Sequence, residues 1–283
     1  MKRIAILIKT KYWRPGDDYI SIIKSSIKDN VEDGDIIVLS EKAISVAKGR
    51  LIDESKIRPS LLAKFIASFW MRYAWGYILS KLCHLRIKNV YRLRNYPVKE
   101  GSNHKQLALI YAGFLQALRH GSEGGIDVSN IPLNYACLPL EDPHKEAMKI
   151  QAEIQNNAKK ACVMIADTDM TYSWHNLHIT SRPRSMRGIL SIGGFIAYVI
   201  GRALKLKCRA TPLAITSNIN VNEALDIAQL AHKARGSGAG RTAWDVAERF
   251  GTSLTGVTWE MLDEVDHYPI VLIRSLKISN YLE

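Results

Sequence analysis

Hydrophobic residues form short unbroken runs in some stretches of the chain and helical periods in others, a division that predicts a mixed α/β protein. Lys2-Arg-Ile-Ala-Ile-Leu-Ile8 reads as a buried first strand, and Asp35-Ile-Ile-Val-Leu39 as another, entered through the turn Asp33-Gly34. Between them, Pro15-Gly16-Asp17-Asp18 is a turn in which Asp18 caps a helix to about Ile27. Pro59-Ser60 opens a long amphipathic helical region, Leu61 to Leu82. Gly101-Ser102-Asn103 is read as the break before another helix, roughly His104 to Leu118. Asp142-Pro143 caps a helix to about Lys159, and Ala161 to Ala166 is a buried strand that delivers Asp167-Thr168-Asp169 at its C-terminal end. Gly188 to Leu206 is apolar with small residues and fits either strand-turn-helix or one helix. Asn222 to Ala234 reads as helix, a further helix starts near Thr242, and Ile270 to Arg274 is a closing strand. Strands and helices mix without a regular βαβ rhythm, so the expected class is α+β, with mixed sheets and packed helices.

Composition narrows the picture. The 283 residues, 47% hydrophobic and 23% charged, suit one large unit, 1–283, or two intimate lobes of about 1–170 and 171–283. Cys83, Cys137, Cys162 and Cys208 stand far apart, three of them in apolar surroundings, which reads as reduced thiols in a reducing, cytoplasmic setting. No secretory signal is expected. Leu61–Leu82 is interrupted by Lys64, Arg72 and Lys81, so it reads as a buried or interfacial helix and no membrane partner is expected.

The formal net charge of +12 favours anionic partners. The excess concentrates between His84 and Lys105, where Tyr91 and Tyr96 are interleaved with Arg86, Lys88, Arg92, Arg94 and Lys99. This is either a solvated basic face or a polyanion groove such as RNA would use. The whole of 61–105 reads as an aromatic and basic helical insertion. Its Phe65, Phe69, Trp70, Tyr73, Trp75 and Tyr77 belong either to a core or to a homodimer interface.

Three loops carry candidate chemistry. In Gly124-Gly-Ile-Asp-Val-Ser-Asn130, glycine allows the backbone to approach a ligand, and Asp127, Ser129 and Asn130 add oxygen and amide groups. Asp167-Thr168-Asp169 offers the carboxylates and hydroxyl a hard cation prefers, and equally suits a helix cap. Ala234 to Arg241 holds Gly236, Gly238 and Gly240 between Arg235 and Arg241. It could turn N–H groups toward phosphate, or act as a linker. His175 and His178 have metal-like spacing without an identifiable third ligand. Neither a P-loop nor a dinucleotide fingerprint occurs.

In order, Glu32 to Arg50 with its Ala47-Lys-Gly-Arg50 turn, Gly124 to Asn130, Leu138-Pro-Leu-Glu-Asp-Pro143 and Ile165-Ala-Asp-Thr168 resemble the coenzyme F420-0:γ-glutamyl ligases. The resemblance is good over 1–60 and 120–170 and thin beyond. It implies that family's fold, an intertwined homodimer, and a GTP-dependent reaction. An anionic acceptor carboxylate is phosphorylated and then takes the amine of L-glutamate, with Mg²⁺ or Mn²⁺ and potentially K⁺. By position it implies metal ligands Asp127, Asp167 and Thr168, and nucleotide contacts from Thr10, Lys11, Tyr12, Trp13, Glu41, Lys42, Asn130, Arg235, Gly236 and Gly238. Catalytic roles would fall to Lys42 and Arg187. Two departures stand out. Val46 replaces an expected lysine, and Ala234 or Arg235 stands where a metal-binding glutamate is expected. The alternative is a paralogue with altered catalysis that binds RNA through 84–105.

Overall fold

The computed structural model describes residues 2–132, 134–155 and 160–276. Its frame is a seven-stranded mixed sheet in the order β1-β9-β2-β5-β6-β7, with β8 on the other edge of β5. The strands are β1 (Lys2–Thr10), β2 (Ile36–Ser40), β5 (Cys162–Trp174), β6 (Leu177–Thr180), β7 (Leu190–Ser191), β8 (Lys207–Ile215) and β9 (His267–Leu276). β2 runs parallel to β5 and antiparallel to β9, with Val38 opposite both Met164 and Val271.

Alternation along these strands divides the core. Ile37, Leu39, Val163, Ile165 and Leu272 pack on one face with α1 (Tyr19–Ile27), α2 (Glu41–Ala47) and α8 (Pro143–Gln155). Val38, Met164, Val271 and Ile273 pack on the other with α10 (Val221–Arg235). Both faces are covered, which is why the strands read as unbroken apolar runs. A division near residue 170 does not exist in this sheet. β9 lies between β1 and β2, and β5 runs straight through the boundary.

The region between β2 and β5 builds a separate helical layer. After β3 (Leu51–Asp53), which pairs with β4 (Tyr135–Cys137), Ser60 caps a continuous helix of three pieces: α3 (Leu61–Phe65), a π-helical stretch (Ile66–Leu79) and α4 (Ser80–Leu82). α5 (Ile87–Arg94), α6 (Val98–Tyr111) and α7 (Phe114–Ala117) fold back on it around Ile66, Met71, Trp75, Leu93, Leu107 and Leu118. Trp70 and Trp75 both donate their indole N–H to the Leu118 carbonyl, at 2.8 and 2.7 Å. The expected break at Gly101-Ser102-Asn103 lies inside α6. Gly101 is there because the Tyr96 ring packs against it, and an added Cβ would stand 2.2 Å from that ring.

The remaining helices are α9 (Phe195–Ala203), α11 (Ala243–Phe250) and α12 (Trp259–Asp263), so Gly188–Leu206 is strand-turn-helix. The end of the helix expected to reach Lys159 lies outside the described residues. Asp167-Thr168-Asp169 sits within β5, not at its end, where the pairing to β8 slips between Asp167 and Met170. That bulge re-aims side chains without stopping the strand. His175 is exposed in the β5–β6 turn, and His178 is buried against Ser173, so this histidine pair does not converge. Cys83 and Cys137 are buried, Cys162 is half-buried and Cys208 is exposed; all four are free.

The basic run is not an open groove. Lys88 and Arg92 pair with Asp245 and Glu248 of α11. Arg94 bonds the Gly76 carbonyl and lies over Tyr77, while Tyr96 and Lys105 are buried.

Candidate functional site

A cavity of about 580 Å³ opens between the sheet's β2–β5 end and the helical layer. Sequence-distant segments meet in its wall: Lys42 of α2, the loop 121–130, the bulge in β5, and the glycine turn after α10.

The loop carrying Asp127 is stapled by backbone bonds in both directions between Asp127 and Cys137. One Asp127 oxygen accepts from the Ser129 amide at 2.7 Å and its hydroxyl at 2.8 Å. The other accepts from Lys42 Nζ at 2.8 Å. Burial alone would raise this carboxyl, but Lys42 and the Ser129 bonds outweigh it and hold Asp127 below the usual range. Asn130, at φ 54°, accepts from the Ala239 amide and donates to the Gly240 carbonyl, at 2.8 and 2.9 Å. Its amide therefore fixes the glycine turn to the loop. Gly236 and Gly238 face the cavity on that turn with φ of 74° and 59°, backbone that glycine adopts without strain.

Arg182 ties the loop to the sheet. Its Nη2 chelates both Glu41 oxygens at 2.8 and 2.7 Å, while Nη1 donates to the Gly124 carbonyl and stands 3.3 Å from Asp167 Oδ2. Gly125, at φ 95°, has to be glycine, since a Cβ would lie 1.1 Å from Arg182 Nη1. Nearby, Arg119 pairs with both oxygens of Asp169.

Positive charge is therefore plentiful, yet Asp167 remains under-compensated. Its Oδ2 is buried without a hydrogen-bond partner. Burial first, then repulsion from Asp169, Glu41 and Asp127, outweighs Arg182 and pushes the carboxyl up to about 7. Arg235 is the complementary case. Its guanidinium borders the cavity and, among the described residues, bonds only backbone carbonyls, of Tyr268 at 2.9 Å and of Pro269 and Val38 at longer range. Burial lowers it to about 10.

A second network locks the loop from the helical side. Glu123 is buried and takes hydrogen bonds from His104 and Lys105 of α6, and Glu54 holds the other His104 nitrogen at 2.6 Å. Burial would lower the His104 imidazole, but the two carboxylates prevail and raise it to about 10. Helix α6 thus reaches the same loop that presents Asp127.

Of the residues singled out from sequence, Lys42, Asp127, Thr168, Asn130, Arg235, Gly236 and Gly238 border one cavity, joined by Tyr12 and the edge of buried Trp13. Tyr12 stacks on His267 and donates to the Asn130 carbonyl at 2.6 Å. Thr10 and Lys11 point elsewhere: Thr10 bonds the Lys11 carbonyl, and Lys11 is exposed and paired with Asp17. Glu41 is buried beneath the wall as the anchor of Arg182. Arg187 is exposed and does not border the cavity, and Arg182 is the arginine that reaches the acidic groups. Arg182, Arg119 and the Glu123 network were not foreseen. The one local signal was Arg182-Pro183 just after a β-strand.

These features coincide with a known family. The model of the F420-0:gamma-glutamyl ligases matches residues 7–243, and the chain belongs to that family. It is 36% identical over 280 residues, 94% of both chains, to an uncharacterized protein of Methanocaldococcus jannaschii. It is also similar to proteins named coenzyme F420:L-glutamate ligase. The Archaeoglobus fulgidus protein is 28% identical over 160 residues, 55% of both chains. The Methanopyrus kandleri protein is 25% identical over 145 residues, 50% of this chain and 49% of its own. The match thus spans about half the length of each named ligase.

Proposed function

We propose that this protein is a nucleotide-dependent ligase that joins the amine of L-glutamate to a carboxylate on an anionic acceptor, with GTP as the activating nucleotide. The observation that carries the reading is the convergence of Lys42, Asp127, the Asn130-pinned glycine turn and Arg235 on one cavity in a chain of this family. Fold alone would not suffice, because function resides in sites.

The glycine turn and Arg235 form the phosphate-facing side. Among the described residues no carboxylate is bonded to the guanidinium, which lies beside backbone able to approach a ligand closely. Lys42, which lines the same cavity and bonds Asp127 and Ser129, would neutralise charge on a transferred phosphoryl group. The acceptor carboxylate attacks the γ-phosphorus, the nucleoside diphosphate leaves, and an acyl phosphate forms. The glutamate amine then attacks the acyl carbon, expels phosphate and gives up its proton. Net, a carboxylate, an amine and GTP yield an amide, GDP and phosphate. The chain's task is positioning and charge neutralisation, as in phosphoryl transfer generally.

A divalent ion fits as a passenger of the nucleotide. Among the described residues no three His, Cys, Asp or Glu side chains form a metal cage. Magnesium, however, is commonly held by one or two carboxylates plus phosphate oxygens. The orphaned Asp167 Oδ2 and its elevated carboxyl mark a place short of positive charge. Asp127 and Thr168 border the cavity and would hold the ion, with the neighbouring Asp167 adding negative charge from behind the wall; the ion would shield the triphosphate oxygens.

Titration calorimetry with GTP and Mg²⁺ tests the proposal. The wild type should bind, and Asp127→Asn should weaken binding at least about tenfold, the loss of one charge-assisted contact. Absence of nucleotide binding by the wild type, or an unchanged affinity for Asp127→Asn, would sink it.

A further inference from the structure

The outer face of the helical layer is apolar, cationic and uncovered. Phe65, Phe69, Tyr73 and Tyr77 form a continuous ladder, with ring centroids 5.2, 5.4 and 6.2 Å apart. Residues four apart lie near one face of a helix, and the ladder runs from the end of α3 through the π-helical stretch. On the same helix Leu61 is 85% exposed and Ile78 68%, and Ile87, which opens α5, is 88% exposed. A soluble surface rarely presents so many large apolar groups along one helix without a partner.

Charge identifies the partner. From Ser55 to Lys99 the chain has ten Lys and Arg and no Asp or Glu. Lys88 and Arg92 are neutralised by α11, and Lys56 by Asp53. Among the described residues Arg58, Lys64, Lys81, Arg86 and Lys99 are exposed and have no carboxylate partner. A second copy of this face would set cations against cations. Nucleic acid would use the rings and the charges, but would leave Leu61, Ile78 and Ile87 without a role, since aliphatic groups do not stack on bases.

We infer that this face docks in the plane of an anionic lipid bilayer, with the aromatic and aliphatic side chains entering the headgroup boundary and the unpaired Lys and Arg meeting lipid phosphates. Such seating needs a helix with an apolar face and a basic border, not a spanning segment. No helix among the described residues is long and apolar enough to cross a membrane. The sequence alone leads to an expectation of no membrane partner, and the surface contact inferred here departs from it. None of the ladder residues lines the cavity, so docking through them would leave its wall free.

The test is co-sedimentation of the full chain with vesicles of phosphatidylcholine alone and of phosphatidylcholine mixed with phosphatidylglycerol. Binding is expected only to the anionic vesicles and should weaken with salt. Phe65→Ser with Phe69→Ser, and separately Lys64→Glu with Lys81→Glu and Arg86→Glu, should each lower partitioning at least about tenfold. Circular dichroism checks that each variant is folded, and the charge reversals, all at exposed positions, carry the test if the serine pair is not. Asp127→Asn should bind vesicles like the wild type, so failure of the ligase reading leaves this one standing. Three results overturn it: no binding to anionic vesicles, equal partitioning of the charge-reversed chain, or a mass that doubles with concentration and returns to monomer in the serine pair while vesicles are ignored.

Discussion

The sheet and the helical layer solve the same problem in opposite ways. In the sheet, β2, β5 and β9 bury alternate residues on two faces, and helices cover both. In the helical layer, Met71 and Trp75 are fully buried, whereas Phe65, Phe69, Tyr73 and Tyr77 on the same helix stay in solvent. The central strands bury nearly all their apolar side chains in folding. The long helix of the other layer buries one face and leaves an aromatic ladder on the opposite one. Between sheet and helical layer lies the cavity, and the loop 121–130 is gripped from both sides, by Arg182 under the sheet and by His104 and Lys105 from α6.

The sharpest break of this arrangement is removal of Glu123. Glu123→Ala leaves Lys105 buried without its carboxylate and strips one of two partners from His104. A buried charge deprived of its partner typically costs about 3–5 kcal/mol, and that loss is expected in urea unfolding. Titration gives a second handle. The His104 pKa is raised from 6.5 to about 10 in the folded protein, so its stabilisation is complete below about pH 6.5 and is lost as pH climbs through 10. His104→Gln should flatten the fall in stability between pH 7 and 10. A parallel decline in both proteins would show that the network is not the pH-sensitive element.

A smaller effect, of opposite sign, belongs to the sheet side. With its carboxyl raised to about 7, Asp167 favours the fold below its ordinary value of 3.8 and loses that contribution as pH rises through 7. Asp167→Asn should therefore stabilise the protein at pH 8, on the order of 1–2 kcal/mol after allowance for partial screening. The gain should shrink toward pH 4. Under the proposed ligase reading, affinity for Mg²⁺ with GTP should drop in the same variant, through loss of negative charge beside Thr168. Stabilisation without loss of binding would make Asp167 a structural residue only.

The parts of this molecule that were legible in sequence share a physical reason. Strands buried on both faces announce themselves as apolar runs, and Asp18, Ser60 and Thr242 mark helix starts because each accepts a bond from the backbone of its own first turn. Asp127 and Asn130 were visible because glycine and short polar groups were packed into one loop. What stayed hidden depends on partners far along the chain. Gly101 is the exception: it read as a break although its partner, the Tyr96 ring, is only five residues away, because that contact forms only once α6 folds against the ring. Arg182 finds Glu41 across 141 positions, so no local spacing could select it over Arg187. The slip that keeps Asp167 inside a strand is a property of the pairing with β8. The aromatic run could be read as core or as interface, and it is both: Trp75 faces inward and Phe69 outward.

That last division yields the smallest expected effect and the cleanest test of the comparison. Trp75→Ala should cost about 3–5 kcal/mol, because it removes a fully buried ring and its indole bond to Leu118. Phe69 is on the same helix but 49% exposed, and its ring touches only the ladder neighbours Phe65 and Tyr73 among aromatic groups. Surface changes of this kind stay within about 0.5 kcal/mol, so Phe69→Ser should leave the unfolding midpoint almost where it is. A loss close to that of Trp75→Ala would mean that the ladder holds the fold together in solution, through the chain itself or through a second copy. A neutral result would mean that the ladder contributes little to folding, and the reason for so much exposed aromatic surface would have to be sought in what it touches.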